Sequence, residues 1–264
     1  MIDYHIHTAR CGHAQGEMAD YVERARELSL KEVGFADHLP LLFKQDPTLT
    51  MRIDQLGEYI QAAESLKKEF PDVEIKTGIE ADYLPGFEDE TARLLKSYDF
   101  DFVIGSVHFI DGWGFDDSRY IDGYKDWDIY SLYARYFGLV ADAAKTGLFD
   151  IIGHLDLIKK YNFKPDADIT PLVKGVLDII KGAGVCVEIN TAGLRKPVGE
   201  MYPGTDILRL CFESDIPITF GSDAHKPEEV GKDFDLARSA AKEAGYDRLV
   251  VFNKRVPEYI MLDT

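Results

Sequence analysis

Along the whole chain, short apolar runs alternate with longer stretches of helical periodicity. "IDYHIHT", at the start, has the length and composition of a strand. "EMADYVERARELSL" follows, with Met18, Tyr21, Val22, Ala25 and Leu28 on one helical face. "KEVGFADH" is the next strand, and after a longer loop at 39–52 the stretch "IDQLGEYIQAAESLKKEF" is a helix ended by Pro71. The alternation continues. Strands are expected at "VEIKTGIEA", "FDFVIGSVHF", "FDIIGHLD", "GVCVEIN" and "IPITFGSDA", and helices near 86–97, 127–146, 170–183, 204–214 and 227–244. A last apolar run, "DRLVVFN", is expected as a closing or packing strand.

Seven strand-then-helix units imply a parallel sheet covered by helices. That many units in 264 residues favour a closed barrel over an open doubly wound sheet. Neither a linker nor a low-complexity segment nor an internal repeat interrupts the pattern, so residues 1–264 are expected to form one α/β domain.

Composition narrows the partners. The chain has 30 Lys+Arg against 47 Asp+Glu, a formal net charge of −17. That field repels nucleic acid and anionic lipid at long range, although bound cations can reverse its sign locally. No apolar run approaches the ~18 residues of a membrane span, and "MIDYHIHTAR" lacks the pattern of a secretion signal. Cys11, Cys186 and Cys211 are odd in number and show no paired spacing, which suits a reducing cytoplasm. The expectation is a cytoplasmic protein with a small-molecule partner and neither nucleic-acid nor membrane partners. The oligomeric state is not encoded in any of these features.

The chemistry lies in the histidines. The chain has seven. His5 and His7 end the first strand and His13 lies in the loop after it. His38, His108, His154 and His225 lie at the ends of strands two, four, five and seven. In a parallel barrel, C-terminal strand ends converge on one face, so residues spread from 5 to 225 meet in space. The i, i+2 spacing of His5 and His7 puts both imidazoles on one side of a strand, and Asp223 and His225 repeat it. Glu80, ending strand three, adds a carboxylate. These nine donors exceed the four that one zinc ion takes and point to two or three divalent ions sharing carboxylates. Zinc, iron and manganese all suit such ligands.

The motifs "HIHT", "CGHA", "ADH", "GIEADY", "GSVHF", "GHLDL" and "GSDAH" resemble, in order and through nearly the whole chain, those of the PHP (polymerase and histidinol phosphatase) family of metal-dependent phosphoesterases. The resemblance implies a distorted (β/α)7, TIM-like barrel with a two- or three-metal centre at the C-terminal face of the strands. It implies one ion on His5, His7, Glu80 and Asp223. A second would sit on Glu80, as a bridge, with His108 and His154, and a third on His13, His38 and His225. "HFIDGWGFD" and "EINTAGLRKPVGEMYP" most resemble the histidinol phosphate phosphatase branch. That likeness implies hydrolysis of L-histidinol phosphate to L-histidinol in histidine biosynthesis.

Phosphate monoesters are among the slowest compounds to hydrolyse uncatalysed. A metal centre lowers the pKa of bound water towards ~7, neutralises phosphoryl oxygens and aligns the reacting groups. Arg195, after strand six, is expected to grip the phosphate with its planar fork, and Asp223 and His225 to act beside it at the reacting centre. Lys160, after strand five, is a further candidate for the phosphate. In the glycine-hinged loop "FIDGWGFDDSRYIDGY", Trp113 and Phe115 are expected against the substrate imidazole and Asp116 or Asp117 against its ammonium group. Cys11 is expected to be a packing residue, and Asp37, whose parity differs from that of His38, to play a supporting role. Two other functions compete: a phosphoesterase acting on nucleic acid or nucleotides, which the charge disfavours, and a non-catalytic metal-binding scaffold.

Overall fold

The computed structural model describes residues 1–262. The chain runs through β1 (Ile2–Ile6), α1 (Met18–Glu27), β2 (Glu32–Phe35), α2 (Leu56–Glu69), β3 (Glu74–Asp82), α3 (Glu88–Lys96) and β4 (Phe102–Ser106). A small hairpin, β5 (Phe109–Ile110) and β6 (Trp113–Gly114), precedes α4 (Ile129–Lys145). Then come β7 (Ile151–Ile152), α5 (Thr170–Ala183), β8 (Cys186–Asn190), α6 (Thr205–Glu213), β9 (Ile218–Gly221) and α7 (Phe234–Ala244), with β10 (Arg248–Asn253) and β11 (Val256–Met261) last. Strands β1, β2, β3, β4, β7, β8 and β9 lie side by side in that order, all parallel. The chain just past β9 returns to β1: Ala224 N–H donates to His5 O (3.1 Å) and His7 N–H to Ala224 O (3.0 Å). The sheet is thus a nearly closed, distorted seven-stranded barrel.

Helices cover the outside. On α4, Leu132, Phe137 and Val140 are each at most 2% exposed, and burying such side chains contributes about 1.5–3 kcal/mol apiece. Among the described residues no helix is long and apolar enough to cross a membrane.

Strand β1 carries a bulge. Asp3 pairs with Val33 and Ile6 with Phe35, so Tyr4 and His5 together oppose the single residue Gly34. A bulge re-aims side chains, and here it turns two sequence neighbours inward. Tyr4 stacks on Phe102 with ring centroids 4.7 Å apart, while His5 reaches Glu80 and Glu188. Glycine is required opposite: a Cβ on Gly34 or Gly78 would come within 2.6 or 2.3 Å of the Phe102 ring.

Of the two roles expected for the run 247–253, closing or packing, the structure gives it the second: it is a strand that packs on the barrel without joining it. It pairs antiparallel with β11 and plugs the N-terminal end, where Phe252 N–H donates to the Tyr4 hydroxyl at 3.1 Å. The helix expected over 227–244 is broken. A 3₁₀ turn at Pro227–Glu229 is followed by Gly231 and Asp233 at positive φ, and only Phe234–Ala244 is α-helical. The fifth strand is only two residues long: Gly153 N–H still donates to Gly105 O at 3.0 Å, but His154 turns to a φ of 24° and ends the pairing.

Candidate metal centre

Glu80, on β3, is the hub. Its carboxylate lies 2.9 Å from His38 Nδ1, 3.0 Å from His154 Nε2, 3.4 Å from His5 Nε2, 3.6 Å from His7 Nε2 and 3.7 Å from His108 Nε2. Each histidine arrives from a strand end or the residues just beyond it. His38 is fixed by a bridge pairing with Glu80 itself. His154 and Asp223 hold φ of 24° and 52°, a backbone conformation that costs of order 1–3 kcal/mol and gathers at functional sites. Asp223 Oδ1 is 3.2 Å from His7 Nε2 and 3.4 Å from His225 Nδ1. His225 stacks on His7 at 4.1 Å and on His13 at 4.7 Å. All nine donors singled out in the sequence therefore converge. They grade from buried His5, His7, Glu80 and His154 to His13 at the mouth.

The charges are mutually dependent. Burial would raise the Glu80 carboxyl, but His38, His5 and His108 outweigh it and hold it well below the usual carboxylate range. Asp223 is likewise held well below, burial being overcome by His5, His7 and His225. Burial opposes charge on His5 and His7, yet both are lifted well above an ordinary histidine, His5 by Glu188 and Glu80, His7 by Asp223 and Asp37. His108 is raised to about 10 by Asp82 and Glu80 against its burial. His13 is pushed down to about 4 by burial and by His38 and His7. Burial and His7 push His225 well below its ordinary value.

The side chains fit metal ions. His5 Nε2, both nitrogens of His7, Glu80 Oε2 and His154 Nδ1 are buried and make no hydrogen bond. Such groups are costly without a partner, and divalent cations would satisfy several at once. Among the described residues, five sets of donor atoms lie within 4.8 Å of one another: His5, His7 and Asp223; His7, His38 and His225; His38, Glu80 and His108; Cys11, His13 and His225; and His7, Cys11 and Asp37. Cys11 is buried, and its Sγ accepts the Ala14 N–H at 3.3 Å.

Behind the donors stand carboxylates that the sequence pattern did not single out. Glu188 Oε1 meets His5 Nδ1 at 2.7 Å, and Oε2 accepts the His154 N–H at 2.9 Å. Asp82 meets His108 Nδ1 at 2.9 Å. Asp3 accepts the N–H groups of Ser222 and Gly231, both at 2.9 Å, tying β1 to the end of β9. Asp37, expected as a support, accepts the His38 N–H at 2.8 Å and lies 3.5 Å from His7 Nδ1. Parity was the available signal. Asp82 follows Glu80 at i+2, and Glu188 is an acid inside an otherwise apolar strand.

The centre opens into a cleft of about 650 Å³, lined also by Arg195, Lys160, Trp113 and Asp116. Arg195 Nη2 donates to Ser222 O at 2.6 Å, while Nη1 is buried without a partner. Lys160 Nζ donates to the Asp116 carboxylate at 3.1 Å and its carbonyl at 2.7 Å. Asp116, expected to face a substrate ammonium, is thus already paired. Phe115 must be withdrawn as a substrate contact. It is 0% exposed and packs edge-on against Trp113 and Tyr136 beneath the cleft wall.

Known proteins are similar to this chain in sequence and in fold. The PHP domain family matches residues 3–192, and the PHP-associated family matches 207–234. A Deinococcus radiodurans protein named "Probable histidinol-phosphatase" is 40% identical over 256 residues, covering 97% of each chain. The Bacillus subtilis protein named "Histidinol-phosphatase" is 32% identical over 260 residues, covering 87% of this chain and 95% of its own. The crystal structure of the Lactococcus lactis histidinol phosphate phosphatase, complexed with zinc, L-histidinol and phosphate, shares the fold. Its TM-score is 0.81 at 24% identity, with 97% of this chain and 98% of that one covered.

Proposed function

The chain belongs to the PHP domain family, and from that premise we propose that it is a metal-dependent phosphatase hydrolysing L-histidinol phosphate to L-histidinol and phosphate. One observation carries the chemistry: five histidines surround one buried carboxylate at the floor of a cleft, and three of them, His5, His7 and His154, keep buried ring nitrogens with no hydrogen-bond partner. The substrate follows from relatives at 40% and 32% identity over most of the chain.

Two to three divalent ions, of zinc, iron or manganese, suit the donors. His5, His7, Glu80 and Asp223 would hold one, and Glu80, His108 and His154 a second. His13, His38 and His225, nearer the mouth, would hold a third. When bound, such ions supply a nucleophile at neutral pH and neutralise phosphoryl charge. The rest belongs to the side chains. Arg195 has a buried Nη1 free to donate and takes a phosphate oxygen in a charge-assisted hydrogen bond. Lys160 lies across the same cleft, its charge sustained by Asp116 against burial, and draws the dianion in. Glu188 and Asp82 fix the rings of His5 and His108 through hydrogen bonds, and Asp37 places its charge 3.5 Å from His7 Nδ1. Trp113 offers the indole face expected to meet the substrate imidazole.

Phosphate release from histidinol phosphate, an aryl phosphate and short DNA tests the reading. Turnover is expected on histidinol phosphate and, less efficiently, on the aryl ester. Turnover confined to DNA, or on none of the three, would overturn it.

A further inference from the structure

A second cleft, of about 570 Å³, lies between the first turns of α5 and α6, away from the metal donors. One wall is apolar, built from Ile169, Val173, Leu194, Ile207 and Leu210. Lys159 and Lys164, both paired with Glu200, and Asp168 also line the cleft, and two further polar features complement the wall. The first is Asp156, 2% exposed. Its Oδ2 forms an ion pair with Lys159 Nζ (2.8 Å) and accepts the Gly204 N–H (3.0 Å), while its Oδ1 is buried and has no hydrogen-bond partner. A buried carboxylate oxygen without a donor is costly, and a donor arriving in the cleft would remove that cost. The second is the start of α6. Its cap, Gly204, provides no side-chain hydrogen bond. The first amides of a helix lack intrahelical acceptors and carry its positive end. Thr205, Asp206 and Ile207 occupy that turn and line the cleft. Asp156 and the helix start are held together by the Gly204 hydrogen bond, so a cation-seeking and an anion-seeking group are neighbours beside an apolar wall.

We propose that this cleft is a binding site for an α-amino acid with an apolar side chain. The ammonium group would donate to Asp156 Oδ1, the carboxylate would accept from the first-turn amides of α6, and the side chain would lie along Leu194, Ile207 and Leu210. Asp156 is two residues beyond His154. Lys159 Nζ lies 5.5 Å over the ring of Tyr202, which is itself 6.4 Å from the His154 ring. The site therefore shares a wall with the metal centre without using its donors.

Calorimetry on the metal-loaded full chain tests this with L-leucine and L-phenylalanine, then with 3-methylbutylamine and 4-methylpentanoate, each of which keeps half of the recognised groups. An amino acid is expected to bind once per chain, and to bind equally in saturating inorganic phosphate, which occupies the catalytic cleft. Each half-ligand is expected to bind at least about tenfold more weakly, the worth of one charge-assisted hydrogen bond. Asp156→Asn is expected to weaken binding by a similar factor. Because Asp156 also holds Lys159 and Gly204, Leu210→Arg provides a second variant. It puts a charge into the partly exposed apolar wall and is expected to remove binding while phosphatase turnover stays. Binding of neither amino acid, half-ligands as tight as L-leucine, loss of binding in phosphate, or wild-type binding by Leu210→Arg would each overturn the proposal.

Discussion

His5 Nδ1 lies 2.7 Å from Glu188 Oε1, both side chains being at most 1% exposed. The hydrogen bond joins β1 to β8 across the barrel and leaves His5 Nε2 turned towards Glu80. A carboxylate behind a ligating histidine fixes its orientation and raises its basicity. Glu188→Gln is expected to weaken metal affinity about 10–100-fold while the fold is kept. Competition titration against a metal chelator measures this, and an unchanged affinity would remove Glu188 from any role in metal binding.

Glu80→Ala should be the most damaging single change, because five histidines face that carboxylate. Turnover should vanish, and at least two ions should be lost together. Elemental analysis of the purified variant checks the second point; retention of the wild-type complement would refute the hub role.

Arg195→Ala separates substrate from metal. Metal content should stay at the wild-type level, while kcat/KM falls about tenfold or more, the loss of a charge-assisted hydrogen bond of about 1.5–3 kcal/mol. Wild-type kinetics would withdraw Arg195 from the phosphate.

Much of the centre was legible in the sequence, because barrel topology turns strand order into spatial convergence. Locating His38, His108, His154 and His225 at strand ends was enough to bring them to one face. What escaped is non-local. The β1 bulge lies opposite Gly34, whose missing Cβ leaves room for the distant Phe102 ring, and no periodicity within residues 2–6 announces it. Glu188 is one acid in a buried strand, and its partner is 183 positions away. The antiparallel partner of 247–253 was hidden because β11 carries exposed Val256, Tyr259 and Met261 rather than an apolar core face.

Phe115 and Trp113 predict opposite behaviour. Phe115→Ala empties a core position and should cost about 3–5 kcal/mol of stability, seen as a lower Tm. Trp113→Ala, at the cleft wall, should raise KM for histidinol phosphate and hardly alter hydrolysis of an aryl phosphate. Equal losses on both substrates would make Trp113 a support of the metal centre.

The pH dependence rests on the metal-free charges. Without metal, and against burial, Glu188 and Glu80 lift His5, Asp223 and Asp37 lift His7, and Asp82 and Glu80 lift His108 to about 10, so each holds its proton to a higher pH than a free imidazole does. Histidines bind metal only when neutral, so binding must expel those protons. Affinity should therefore keep rising from pH 7 towards 10, rather than levelling just above the ordinary histidine value of about 6.5. Calorimetry in buffers of different ionisation heat should register more than one proton released at pH 7. Release of none would contradict the charge assignment.

Metal stoichiometry and turnover, measured on one preparation, decide whether the histidine cluster and the phosphatase activity belong together. Protein purified without chelator should contain two to three divalent ions per chain and hydrolyse histidinol phosphate. Chelation should abolish the activity, and reloading should restore it in step with the ions bound. Full turnover with less than one ion per chain would contradict a metal-dependent hydrolysis at this centre.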